Sequence, residues 1–116
     1  MIGNGVHHVS INVDDVEACR VFYVDVLGFG EIDRPDLGIG GAWLQMGAQE
    51  LHLIELPLVD GSGPHFALAV DDLAEARAEV VAKGVEVSEI GTIEGVCLQA
   101  FLHDPAGNQI ELNQRL

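Results

Sequence analysis

Positive charge is what this chain has least of. Its 116 residues hold five Lys and Arg against nineteen Asp and Glu, a formal net charge of −14. Nucleic acid requires the opposite sign in its partner, so it is not expected as a ligand. An anionic membrane surface repels such a chain as well. The acidity disfavours a substrate with several phosphates and admits a cationic ligand or a divalent metal. Cysteine is scarce too. Cys19 and Cys97 are the only two, with no CxxC pair between them, so a structural disulfide is not expected and Cys19 is assigned to core packing. Long apolar runs are absent, which excludes a membrane-spanning helix. The opening MIGNGVHHVS has neither the basic nor the apolar region of a signal peptide, so the expected location is the cytoplasm. Nearly half of the residues are nevertheless apolar, enough for one folded domain with a real core.

What the sequence does contain is a repeat. PHFALAVDDL, from Pro64 to Leu73, aligns without a gap on HHVSINVDDV, from His7 to Val16. His65 falls on His8, Val70 on Val13, Asp71 on Asp14 and Asp72 on Asp15. In the first copy a strand from Val6 to Val13 sends His8, Ser10 and Asn12 one way and Val9, Ile11 and Val13 the other. Asp14 or Asp15 then caps a helix, with Glu17 three residues after Asp14 as in a capping box. Val16, Cys19, Phe22, Tyr23, Val26 and Leu27 follow at helical spacing, and Gly28 sits where a left-handed terminator belongs. The second copy repeats the order: a strand with Phe66, Leu68 and Val70 on its apolar face, a cap at Asp71 or Asp72, a helix carrying Leu73, Ala76, Val80 and Val81, and Gly84 at its end.

Three β-type runs follow each helix. They are Gly30 to Asp33, Ala42 to Met46 and Gln49 to Glu55 in the first copy. In the second they are Glu86 to Ile90, Val96 to Leu102 and Gln109 to Asn113. Turn residues separate them, most clearly Asp104-Pro105-Ala106-Gly107-Asn108. The expected fold class is α+β. Two tandem βαβββ modules, residues 1–56 and 64–116, are joined by a connector at 57–63 within one domain spanning 1–116. Their strands would form a curved mixed sheet, with helices on its outer, apolar face and a hollow in front.

The candidate site lies on the polar face. Leu51 and Leu53 match Ile110 and Leu112, which puts His52 on Glu111. Two repeat-equivalent pairs, His8 with His65 and His52 with Glu111, therefore all occupy positions opposite to the apolar ones. A lone strand histidine is ordinarily structural. Four matched positions that all hold ligand types point to a metal. Three imidazoles and a carboxylate suit Zn, Ni, Co, Mn or Fe(II). Around an octahedral ion they leave two adjacent positions for two substrate oxygens. His7 and His103 are assigned structural or solvent roles. Gly38 to Gly41 precedes no helix and is not a phosphate loop, and no organic cofactor is expected.

HHVSINVDDVEACRVFYVDVLGF, RPDLGIGGAWLQMG, ELHLIE, HFALAVDDL and FLHDPAGNQIELNQ together resemble the vicinal oxygen chelate superfamily, which unites glyoxalases, bleomycin-resistance proteins and extradiol dioxygenases. The resemblance places the family's metal positions on His8, His52, His65 and Glu111. It implies a glyoxalase-type lyase or isomerase, similar to lactoylglutathione lyase. In such an enzyme a divalent ion chelates vicinal oxygens of a small substrate and stabilises an enediolate while a base moves the proton. On this reading Glu111 is the base, and Ser10, Asn12 and Asn113 touch substrate or support the ligands. Trp43, Phe101 and the loop from Arg34 to Gly41 wall the pocket. The alternatives it implies are a metal-free protein binding a cationic drug, as in bleomycin resistance, and an Fe(II) dioxygenase of the extradiol type. A homodimer acting on a small molecule is the assembly it implies.

Overall fold

The computed structural model describes residues 2–60 and 63–116, so Gly61 and Ser62 of the expected connector lie outside the described residues. The contacts divide the chain into two compact units, Met1–Val59 and Asp60–Leu116.

The first unit opens with strand β1, His8–Val13. Asp15 then caps helix α1, Val16–Val21, accepting a hydrogen bond from the Ala18 backbone N–H. This selects Asp15 over Asp14 as the cap. It also moves Glu17 out of the capping-box position. Glu17 instead takes a bidentate ion pair from Arg20, whose guanidinium also reaches Glu31. The Arg20 hydrogen bond holds the Glu17 carboxyl below its ordinary range, and the Arg20 guanidinium is raised in return.

The helix expected to continue through Leu27 does not stay α. From Phe22 to Val26 it widens into a π turn. The turn carries Phe22 and Tyr23 into the core, with Tyr23 stacked on Phe29. Gly28 ends it at φ 75°, a left-handed conformation that glycine adopts without steric cost.

Strands β2 (Gly30–Ile32), β3 (Gly41–Met46) and β4 (Gln49–Glu55) complete the unit. The sheet order is β1-β4-β3-β2, with β1 and β4 parallel and the other pairs antiparallel. Val13, Ala42, Leu44, Leu51 and Leu53 are buried with Cys19, Phe22 and Tyr23 of the helical segment.

The second unit repeats this plan with β5 (His65–Ala69), α2 (Leu73–Ala82), β6 (Gly91–Ile93), β7 (Cys97–His103) and β8 (Gln109–Arg115), in the order β5-β8-β7-β6. Asp72 caps α2 by accepting from the Glu75 backbone N–H, and Gly84 ends it at φ 86°. Leu73 and Val80 are buried with Ala100, Leu102, Ile110 and Leu112.

Each module is βαβββ with its own four-stranded mixed sheet. Most strand boundaries fall within one or two residues of those expected. The exception is Glu86 to Ile90, which forms no strand. The Arg77 guanidinium takes the Val87 and Ser88 carbonyls, so these groups are spent on a side chain. Pairing starts at Gly91 instead, where a turn at Gly95 with φ 71° folds Ile93 onto Cys97.

Asp104 organises the turn before β8. It is 5% exposed, and its carboxylate accepts from the Ala106 and Asn108 backbone N–H groups and from the Asn108 side chain. Among the described residues no helix is long and apolar enough to cross a membrane.

Candidate functional site

Strand alternation and register decide which side chains share a face. In the first unit β1 runs parallel to β4, so His8 sits beside Glu50 and Ser10 beside His52. Across the antiparallel β3–β4 pair, Trp43 faces His52 and Gln45 faces Glu50. The non-apolar face of this sheet therefore holds His8, Ser10, Asn12, Trp43, Gln45, Glu50 and His52. Three rings form a column on it. The His52 ring lies 4.5 Å from Trp43 on one side and 4.0 Å from His8 on the other, near-parallel to both.

His52 is 8% exposed, and its Nε2 lies 2.9 Å from Glu50 Oε1. That hydrogen bond, aided by the imidazoles of His7, His52 and His8, holds the Glu50 carboxyl below its ordinary range. His7 turns edge-on to His8, with the two Nδ1 atoms 2.9 Å apart. It is exposed and touches His8, which is compatible with the structural or solvent role expected of it. Asn12 donates through Nδ2 to the Pro57 carbonyl, so it secures the end of the module.

In the second unit the same geometry recurs. Ala67 sits beside Glu111 and Ala69 beside Asn113 across β5–β8, and Phe101 faces Glu111 across β7–β8. Phe101 is therefore the counterpart of Trp43, each standing opposite a candidate ligand. Glu111 is 7% exposed. Its Oε2 accepts a 2.6 Å hydrogen bond from Asn113, and its Oε1 lies 3.2 Å from His65 Nε2. The His65 ring is edge-on to Phe101. Its Nδ1 lies 2.8 Å from the Gly63 carbonyl oxygen. Asn113 also lines a cleft of about 410 Å³ with Ala67, Ala69, Asp71 and Arg115. His103 ends β7, exposed and opposite Gln109.

The chemistry of His65 tests whether these residues suit a metal. The ring lies between two groups that can only accept: a backbone carbonyl and a carboxylate. A neutral imidazole has one N–H, so it satisfies one of them and turns a lone pair on the other. The conflict ends if the ring is protonated at both nitrogens or if a cation lies between Nε2 and Oε1. Two donors at about 2.1 Å from a divalent ion stand roughly 3.0–3.4 Å apart. The observed 3.2 Å matches that edge. A ligating histidine ordinarily gives its other N–H to a carbonyl or carboxylate, the role Gly63 fills here. The His65 and Glu111 atoms have donor types and a spacing that a divalent ion accepts, whereas His8 and His52 lie stacked face to face.

His8 and His52 are brought together in the first unit, and His65 and Glu111 in the second. Among the described residues no group of three or more His, Cys, Asp or Glu that could hold a metal ion is found. Glu50 is the site residue the sequence reading missed. Its signal was alternation, since a residue two before His52 on a strand shares its face.

Comparison with known proteins agrees with this architecture. The sequence model of the Glyoxalase/Bleomycin resistance protein/Dioxygenase superfamily matches residues 5–112. A curated relative from Arabidopsis thaliana, "Probable lactoylglutathione lyase, chloroplastic", is 37% identical over 93% of this chain, which spans 35% of that protein's length. "Probable lactoylglutathione lyase" of Synechocystis is 33% identical, with 92% of both chains covered. Among solved structures, a glyoxalase family protein from Bacillus anthracis superposes with a TM-score of 0.90 at 26% identity, covering 100% of this chain and 98% of that one. An antibiotic binding protein from Streptomyces superposes with a TM-score of 0.80, also at 26% identity, covering 100% and 99%. The chain belongs to the Glyoxalase/Bleomycin resistance protein/Dioxygenase superfamily.

Proposed function

We propose that this protein is a divalent-metal-dependent lyase or isomerase of the glyoxalase type. It would act in the cytoplasm, as a homodimer, on a small α-oxygenated or thiol-conjugated substrate. The observation that carries the reading is His65 held between the Gly63 carbonyl and the Glu111 carboxylate at chelating distance. Relatives named as lactoylglutathione lyases support it.

On this reading His8, His52, His65 and Glu111 are the protein's donors, two from each module. A divalent ion held by them supplies Lewis acidity toward substrate oxygens. The chain does the rest. Glu111 is the proton carrier. Its Oε2 is anchored by Asn113 and its Oε1 lies 3.2 Å from His65 Nε2, so the carboxylate is oriented before substrate arrives. Burial strengthens each of these contacts by removing competing water. Trp43 stands opposite His52 and Phe101 opposite Glu111, so each of these two donors has an aromatic neighbour on its own sheet.

A second reading has its own support. The −14 charge and the likeness to an antibiotic binding protein favour a metal-free protein that binds a cationic drug.

One assay separates the two. Protein loaded with Ni, Co, Zn, Mn or Fe(II) is given a 2-oxoaldehyde and glutathione, and thioester formation is followed. Accumulation of thioester that chelator abolishes is the expected result. No turnover with any metal, beside salt-sensitive and chelator-insensitive binding of a cationic drug, would put the second reading in its place. Oxygen uptake with a catechol by the Fe(II) form would move the protein to the dioxygenases.

A further inference from the structure

Among the described residues, Arg115 is the one Lys or Arg side chain with no hydrogen-bond or ion-pair partner. Arg20 and Lys83 pair with carboxylates, Arg77 with two carbonyls and Glu89, and Arg34 with the Ile39 carbonyl. Nineteen Asp and Glu compete for five cations in this chain, yet this guanidinium is left open. The Asp71 carboxylate has no partner either. The two residues leave the ends of β5 and β8 together. These strands run parallel, Ala69 sits beside Asn113, and the Val70 N–H still donates to the Asn113 carbonyl. Asp71 and Arg115 are exposed and line the cleft of about 410 Å³ together with Ala67, Ala69 and Asn113.

Comparison of the two modules shows what makes this cleft. Ser10 and Asn12 stand where the second module has Ala67 and Ala69, and Ile54 and Leu56 where it has Asn113 and Arg115. The Asn12 amide is tied to the Pro57 carbonyl. In the second module methyl groups replace the longer polar side chains on the first strand, which opens space. An amide and a guanidinium replace apolar side chains on the last strand, which furnishes that space with donors.

From this arrangement we infer that the cleft binds the ammonium–carboxylate end of a small zwitterion of the α-amino-acid type. Arg115 takes the carboxylate, for which its planar fork of donors is matched. Asp71 takes the ammonium group. Its charge also repels a plain anion that would otherwise settle on Arg115, so discrimination comes from a repulsive element as well as an attractive one. Asn113 both lines the cleft and donates to Glu111, so the cleft opens beside the carboxylate assigned to proton transfer. The inference concerns the second module alone and holds whether or not a metal binds.

The test uses the full chain with no added metal and L-alanine as the probe. Propionate and ethylammonium serve beside it, each the same skeleton with one charged group removed. Backbone amide shifts of the labelled protein are followed through titration at millimolar concentrations, where a weak open site fills. L-Alanine is expected to move the amides of Ala67, Ala69, Asn113 and Arg115, and to bind at least about 10-fold more tightly than either analogue. Arg115→Gln and Asp71→Asn should each weaken it about 10-fold. Both positions are exposed, so neither change threatens the fold. Ala69→Asn restores the first module's residue, keeps both charges and fills the cleft, and should also weaken binding. No shift at these amides, propionate binding as tightly as L-alanine, or L-alanine binding unchanged in both charge variants overturns the inference. Because no metal is added, each of those results leaves the metal reading standing.

Discussion

Glu111→Gln is expected to lower turnover at least about 100-fold, the low end of what general acid–base catalysis contributes, while the protein stays folded. The substitution removes the proton acceptor and, on the metal reading, one anionic donor as well. The amide has the volume of the carboxylate. Its oxygen can still accept from Asn113, and its NH2 can donate to the His65 Nε2 lone pair, so no buried polar atom is stranded. Thermal denaturation of the variant should therefore stay close to wild type. Steady-state assay of the metal-loaded variant, alongside its metal content, separates lost chemistry from lost metal. Full turnover in a metal-loaded Glu111→Gln protein would remove Glu111 from the proton-transfer role.

Asp104→Ala is expected to be the most destabilising single change outside the apolar core, at about 2–4 kcal/mol. The buried carboxylate collects three donors from two residues. Alanine leaves the Ala106 and Asn108 backbone N–H groups and the Asn108 amide without this acceptor. A loss of this size should lower Tm on the order of 10 °C for a domain of this length. The effect reaches the site because the turn sets where β8 begins, and β8 carries both Glu111 and Asn113. Asp104→Asn keeps an oxygen for the two backbone donors and should retain part of the stability. Chemical denaturation of the three proteins checks the order. An alanine variant as stable as wild type would show that the turn is held by its backbone bonds alone.

Much of this architecture was legible because the signals are local. Aspartate before an apolar-periodic run, glycine after it, and the Asp104 to Asn108 turn each act through backbone groups a few residues away. The repeat then supplied what local rules cannot. Matching Leu51 and Leu53 to Ile110 and Leu112 set His52 against Glu111, and the strand register puts both on the faces expected. The failures are places where a distant group decided. Val87 and Ser88 look like strand, but Arg77, eleven residues before Ser88, takes their carbonyls. The helix after Asp15 has the right period for α, yet packing of Phe22 and Tyr23 into the core is accompanied by a wider turn. Glu50 escaped notice because the repeat comparison gives it only Gln109 as a partner, and pairing with His52 is visible only once both side chains are placed.

The central proposal is that His8, His52, His65 and Glu111 are metal ligands. Metal content of protein purified without chelator, beside a His65→Ala variant, tests it most directly. The account predicts near-stoichiometric divalent metal in the wild type and its loss in the variant. A wild-type protein that is metal-free, and that refuses Ni, Co, Zn, Mn and Fe(II) on reconstitution, would contradict it and leave the four residues as symmetry inherited from the repeat.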